Sequence, residues 1–153
     1  MSVQDDIISE IAPGIFRNFV RLPISEVGSM NSYAIVGDAR NLIVDSGMAH
    51  PACCETVERA MQNLNLDLEY TDFFITHHHL DHFSSVSRFL RRTSRIYISE
   101  REAEFIQQIA SGEAEAETAV FLERMGFPEK NPMDVVSQFF NSEYGRRHSW
   151  PFR

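Results

Sequence analysis

Apolar residues recur in short runs over the first hundred positions, and each run has a strand or helix period. Ile11 precedes a Pro13-Gly14 turn signal. Ile15 to Leu22 then mixes apolar with polar positions, as a strand does. Ser32 to Val36 is a second run, closed by Gly37-Asp38, a pair common in hairpin turns. Asn41 to Asp45 is a third, and its consecutive Leu42, Ile43 and Val44 suit a strand covered on both faces. Pro51 opens a helix, where proline is well tolerated at the first position. Val57, Met61 and Leu64 fall on one face of it. Asp72 to Thr76 reads as a short buried strand, Val86, Phe89 and Leu90 as a short helix, and Ile96 to Ile98 as another strand. Strands, helix, strand, helix, strand is the order of an α/β layered domain.

Beyond this point the period changes. Ser99 and Glu102 fit a Ser-x-x-Glu capping box. Phe105, Ile106 and Ile109 give the helix that follows an apolar face, and Gly112 interrupts it. Residues 113–125 read as helix, with Gly126 at the C-terminal cap and Pro128 after it. Asn131-Pro132 starts one more helix, carrying Val135, Val136, Phe139 and Phe140. The expected organisation is therefore 1–99 as a sheet-and-helix part, 100–141 as a helical block and 142–153 as a tail.

Composition narrows the class. The chain has 153 residues, of which 43% are apolar and 24% charged, as in an ordinary globular domain. No stretch approaches the roughly 20 apolar residues that span a bilayer. Met1 to Glu10 is acidic and lacks the basic start and apolar run of a signal peptide, so the expected compartment is the cytoplasm. The net charge of −8 repels phosphate backbones and disfavours nucleic acid as a partner. Arg88, Arg91, Arg92 and Arg95 cluster, which fits a solvated helix end. Cys53 and Cys54 are adjacent, a spacing that rarely permits a mutual disulfide, and they are expected to pack on the helix.

The chemistry concentrates in Thr76-His77-His78-His79-Leu80-Asp81-His82, which holds four of the six histidines. On a helix, positions two apart diverge by about 200°. On an extended segment they point the same way. His77 and His79 then converge on one ion. Asp81 continues that row, and His82, at the turn into the next helix, points elsewhere, which suits a second ion on Asp81 and His82. His78 points to the opposite side. Imidazole and carboxylate without thiolate suit zinc, with manganese and iron as alternatives. A solvated loop is the bland alternative for such a tract. Asp45, at a strand end, is either a brace behind the ligands or a simple turn residue.

His77-x-His79-x-Asp81-His82 resembles the metal-binding signature of the metallo-β-lactamase superfamily. Asn31-Ser32-Tyr33-Ala34-Ile35, Leu42-Ile43-Val44-Asp45-Ser46-Gly47 and the opening Ile11-Ala12-Pro13-Gly14-Ile15-Phe16 are similar to other parts of that family. The block at 100–141 looks like an insertion that many of its hydrolases carry near the active-site mouth, where Phe105, Phe121 and Phe139 would form an apolar lid or simply pack the helices.

The resemblance implies a four-layer αββα sandwich with a mixed sheet and flanking helices. It implies two divalent ions and metal-hydroxide attack on an ester, thioester, lactone, amide or phosphodiester of a small-molecule substrate. His77 and His79 match ligands of the first ion, and Asp81 and His82 those of the second. Asp81 is also the catalytic candidate, and Asp45 matches the aspartate that braces the metal loop. A redox branch replaces one motif histidine with glutamate, and His79 argues against it.

Two departures stand out. Where the family often has two glycines after His82-x, this chain has Ser84 and Ser85, expected to cap the next helix. The family's third histidine, bridging aspartate and last histidine have no counterpart; His148 lacks a preceding strand, and His50 reads as a surface histidine. The expectation is a truncated metal-dependent hydrolase. The alternatives are a chain completed by a homodimer or by a partner that covers the sheet, and a degenerate, non-catalytic metal-binding or interaction module.

The converging row predicts that His79→Ala abolishes metal uptake, measured as metal content per chain. The opposite phase predicts that His78→Ala leaves hydrolysis nearly unchanged, and a large loss there would refute that phase.

Overall fold

The computed structural model describes residues 8–23 and 28–111, together with 120 and 124. The expected helices over 113–125 and 131–141, the tail 142–153 and His148 lie outside the described residues. The chain divides into two compact units, Met1–Ile98 and Ser99–Arg153.

In the first unit six strands form one mixed sheet. They are β1 (Ile8–Ala12), β2 (Ile15–Arg21), β3 (Ser29–Ile35), β4 (Asn41–Val44), β5 (Thr71–Phe74) and β6 (Ile96–Tyr97). Their order in the sheet is their order in the chain. The first three pairings are antiparallel, and β4–β5 and β5–β6 are parallel. The β4–β5 crossover contains α1 (Pro51–Asn63), and the β5–β6 crossover contains α2 (Leu80–Phe83) and α3 (Val86–Phe89).

The sequence reading is corrected at the ends of elements. Ile8–Ala12 is a full strand, joined to β2 at Gly14, whose φ of 72° suits glycine. β5 ends at Phe74 rather than Thr76, because the Thr76 amide leaves the ladder and donates to Asp45 Oδ1 at 2.9 Å. Thus the histidine segment is a bent loop and not the continuation of a strand. α1 ends with Leu64 as its cap and Asn65 at a φ of 51°, without the glycine that commonly marks a helix end.

Alternation along the strands sets the layers. Val20, Met30, Ala34, Ile43 and Phe73 are buried, each at 6% exposure or less. Cys53, Cys54, Val57, Ala60 and Met61 are the buried residues of α1, which packs on β2. Phe83, Val86 and Phe89 add the buried residues of α2 and α3. The adjacent cysteines therefore pack on a helix, as expected, and burial raises both thiol pKa values.

The opposite sheet face is also apolar. Cross-strand partners share a face, and the pairings Tyr33–Val44, Val44–Phe74 and Phe74–Tyr97 carry one row across four strands. Phe74, on the inner strand β5, is 40% exposed, and Tyr97, on the edge strand β6, is 45% exposed. On the same face Asp72 is 5% exposed but fully engaged. Arg40 grips it through Nε at 2.8 Å and Nη2 at 2.6 Å, and the Arg95 amide donates to it at 2.9 Å. The Arg40 guanidinium holds the Asp72 carboxyl below its ordinary pKa.

In the second unit, α4 spans Glu100–Ser111. The Glu102 amide donates to Ser99 Oγ at 3.3 Å, which is one half of the expected capping box. Ile106 is buried and Phe105 half-buried. Among the described residues no helix is long and apolar enough to cross a membrane.

Phe73 is 1% exposed on the inner strand β5. Phe73→Ala is expected to lower the unfolding free energy by about 3–5 kcal/mol, read as a lower urea midpoint at unchanged m-value.

Candidate metal centre

The centre forms where three chain segments meet at the carboxyl ends of β4 and β5. Asp45 ends β4 in the left-handed region, with a φ of 54°. Aspartate is one of the few side-chain-bearing residues that visit this region readily. Its amide donates to the Phe74 carbonyl at 2.9 Å, so the two parallel strands end in register.

The Asp45 carboxylate is 5% exposed and accepts three hydrogen bonds. The Thr76 amide donates to Oδ1 at 2.9 Å, and the Thr76 hydroxyl to Oδ2 at 2.7 Å. His82 Nδ1 lies 2.8 Å from Oδ2. Asp45 thus ties Thr76 and His82 together from the end of β4.

These bonds set the imidazole tautomers. A carboxylate only accepts, so the Thr76 hydroxyl hydrogen is directed at Asp45. Thr76 Oγ1 then accepts from His77 Nδ1, 2.9 Å away. His82 Nδ1 likewise donates to Asp45. Both rings thus present Nε2 on the side away from these oxygens, the arrangement expected of a metal-binding histidine whose other nitrogen is held by oxygen.

These nitrogens converge. His77 Nε2 is 3.1 Å from His79 Nδ1, and His82 Nε2 is 3.4 Å from Asp81 Oδ2. The His77 ring centroid lies 4.6 Å from that of His79 and 4.0 Å from that of His82. His82 was expected to point elsewhere. Instead the one-turn helix α2 swings it back over His77, a turn that extended-chain phase does not anticipate. His78 stands 6.5 Å from His77, ring to ring, and 5.0 Å from His79.

Imidazole nitrogens and a carboxylate are a donor set that suits a divalent ion. Among the described residues, however, no group of three or more His, Cys, Asp or Glu side chains is arranged to hold one. The donors lie in close pairs.

The pairs have different electrostatics. Burial lowers the His77 pKa, and the neighbouring His82 and His79 push the same way. Burial also opposes charge on His82, but the hydrogen bond to Asp45 and the charges of Asp45 and Asp81 outweigh it and raise its pKa.

Other candidates have structural roles. His50 caps α1, its Nδ1 accepting from the Ala52 amide at 3.3 Å. Arg88 pairs with Glu58 at 2.7 Å, and Arg91 folds back on the carbonyls of Phe89 and Leu90, in keeping with a helix end. Ser85 makes no side-chain cap bond to α3, contrary to the capping expected of this serine pair. Ser84 and Ser85 instead reach across to the loop after Asp45. Thr76 was missed as a functional residue, although its position before His77 at the end of an apolar run was a signal.

The sequence pattern of the metallo-beta-lactamase superfamily matches residues 26–108, and the chain belongs to that superfamily. Its members are generally hydrolytic metalloenzymes that bind divalent ions, often zinc. The fold is similar to that of a metallo-beta-lactamase family protein from Thermus thermophilus, at 23% identity and a TM-score of 0.69 over 94% of this chain and 47% of that one. It is also similar to a beta-lactamase domain protein from Burkholderia ambifaria, at 20% identity and a TM-score of 0.59 over 76% and 39%. A third is a metallo-beta-lactamase from Pseudomonas aeruginosa solved in a mono-zinc form, at 16% identity and a TM-score of 0.54 over 66% and 45%. The matched region spans less than half the length of each of these structures. None of the curated proteins matches this sequence.

In metal-free protein, histidine NMR titrations are expected to place the His82 midpoint above 6.5 and the His77 midpoint below it. The His82–Asp45 pair then contributes stability that is complete below pH 6.5 and lost as pH rises through the folded pKa of His82. Midpoints in the reverse order would contradict the assigned hydrogen bonds.

Proposed function

We propose that this chain carries the metal-binding half of a metal-dependent hydrolase acting on an ester, thioester, lactone or similar bond of a small molecule. In this reading His77 and His79 hold one divalent ion, and Asp81 and His82 hold a second. Zinc is the favoured metal, supported by the donor set and by the mono-zinc form of the Pseudomonas aeruginosa relative. A bound divalent ion supplies water acidified to a pKa of about 7.

The observation that carries the reading is the locking of His77 and His82 by one carboxylate, which leaves both Nε2 atoms directed into the cluster. Thr76 and Asp45 keep the His77 and His82 Nδ1 protons in place. In this reading Asp81, whose Oδ2 lies 3.4 Å from His82 Nε2, would orient the attacking water and accept its proton. The acidic balance of the chain favours a small molecule over nucleic acid.

Completion of the site requires further ligands and a cover for the open sheet face. The row Tyr33, Val44, Phe74 and Tyr97 supports a second sheet as that cover, from a longer chain or from a partner. A second reading, a non-catalytic metal-binding module that acts through this face, is favoured by the lack of any three-membered donor group among the described residues.

Metal analysis with a hydrolysis screen separates the two. The hydrolase reading expects at least one tightly held ion per chain in the complete native protein. It also expects chelator-sensitive turnover of an ester, thioester, lactone or phosphodiester probe. Less than one ion per chain in carefully purified protein, with no turnover, would favour the module.

A further inference from the structure

Four hydrogen bonds stitch the loop after Asp45 to the segment that begins at His82. The Ser46 amide donates to the His82 carbonyl at 2.8 Å, and the Ser85 amide to the Gly47 carbonyl at 3.1 Å. These two are backbone bonds. The other two need the serine side chains. The Ser85 hydroxyl donates to the Ser46 carbonyl at 2.6 Å, and Ser84 Oγ accepts from the Ala49 amide at 2.8 Å. Both serines are buried, at 1% and 0% exposure, so water does not compete for these bonds.

The stitched loop follows an unusual backbone path and packs in ordinary contact with the core. Gly47 has a φ of 89°, and a Cβ there would meet Val20 Cγ1 at 3.6 Å and Cys53 Cβ at 3.8 Å. Ser46 is thus held between a left-handed Asp45 and a left-handed Gly47, a backbone with little intrinsic preference for this path. Removal of the hydroxyls leaves two of the four bonds between residues 46–49 and 82–85.

We propose that Ser84 and Ser85 are positioning residues that fix the Asp45 carboxylate against His82 Nδ1. They act through the loop backbone and touch neither ring. Where close backbone approach would need small residues at 84 and 85, this chain uses two hydroxyls to bind the same loop. The consequence for metal affinity rests on the reading of His82 as a ligand. The positioning itself does not, and it can be read in metal-free protein.

The test follows the ring N–H proton of His82 in nitrogen-labelled protein. A proton held between His82 Nδ1 and Asp45 gives a slowly exchanging downfield signal. Ser85→Ala is expected to broaden or abolish that signal while circular dichroism stays unchanged. Cobalt(II) affinity should fall by about 10-fold or more, the usual effect of losing an orienting contact behind a metal ligand. Ile106→Val, a core change in α4 of the second unit, serves as the control: it lowers stability but should leave both the ring signal and the cobalt spectrum as in wild type. If Ser85→Ala does not fold, Ser84→Ala removes the accepting hydroxyl alone and carries the same test. A wild-type ring signal in the serine variants overturns the proposal, whatever the metal affinity. A wild-type chain that shows the ring signal and takes up no cobalt overturns the ligand reading, and the serine variants then decide the positioning by the signal alone.

Discussion

The Asp45 carboxylate is the constraint on which the centre depends. It is almost fully buried, and an unpaired charge there would be costly. Its three hydrogen bonds draw in the Thr76 amide, the Thr76 hydroxyl and His82. Each bond settles something else. The amide bond ends β5 and bends the histidine segment. The hydroxyl bond orients His77 through Thr76. The imidazole bond brings His82 over His77. The left-handed backbone at Asp45 costs about 1–2 kcal/mol for an ordinary L-residue, less for aspartate, and these bonds offset it.

Opposed pKa shifts at His77 and His82 have different origins, burial at the first ring and the Asp45 carboxylate at the second. His82 meets Asp45 directly, so charge on its ring is favoured. His77 meets it only through a hydroxyl and faces two other imidazoles, so charge on its ring is disfavoured. Burial and two neighbouring imidazoles thereby keep His77 inclined to neutrality, while Asp45 and Asp81 incline His82 to carry a proton when metal is absent. A metal ion taken up at His82, as proposed, would have to displace that proton, which would couple uptake to pH.

Much of this was legible in the residues. β2, β4 and α1 followed from alternation, from the consecutive Leu42, Ile43 and Val44, and from Pro51 with Val57 and Met61. The histidine motif and the superfamily were legible because so dense a spacing has few other uses. The direction of His82 was not legible, since it depends on a one-turn helix whose start is set by the contacts of Asp45, 37 residues earlier. The role of Ser84 and Ser85 was misread for a similar reason. Serine before a helix usually caps it, and only the approach of residues 46–49 gives these hydroxyls better partners. The bidentate grip of Arg40 on Asp72 joins residues 32 apart and has no local signature.

The agreement of sheet order with chain order has a kinetic meaning. Each strand pairs with the one made just before it, so the sheet can grow from one end as the chain leaves the ribosome. Closure of each added strand costs little loop entropy, the more so for the three hairpin-like pairings. Asp45, Thr76 and His82 all lie in this progressively built stretch. The donor cluster can therefore be assembled by the time β6 joins, while the row from Tyr33 to Tyr97 still faces water.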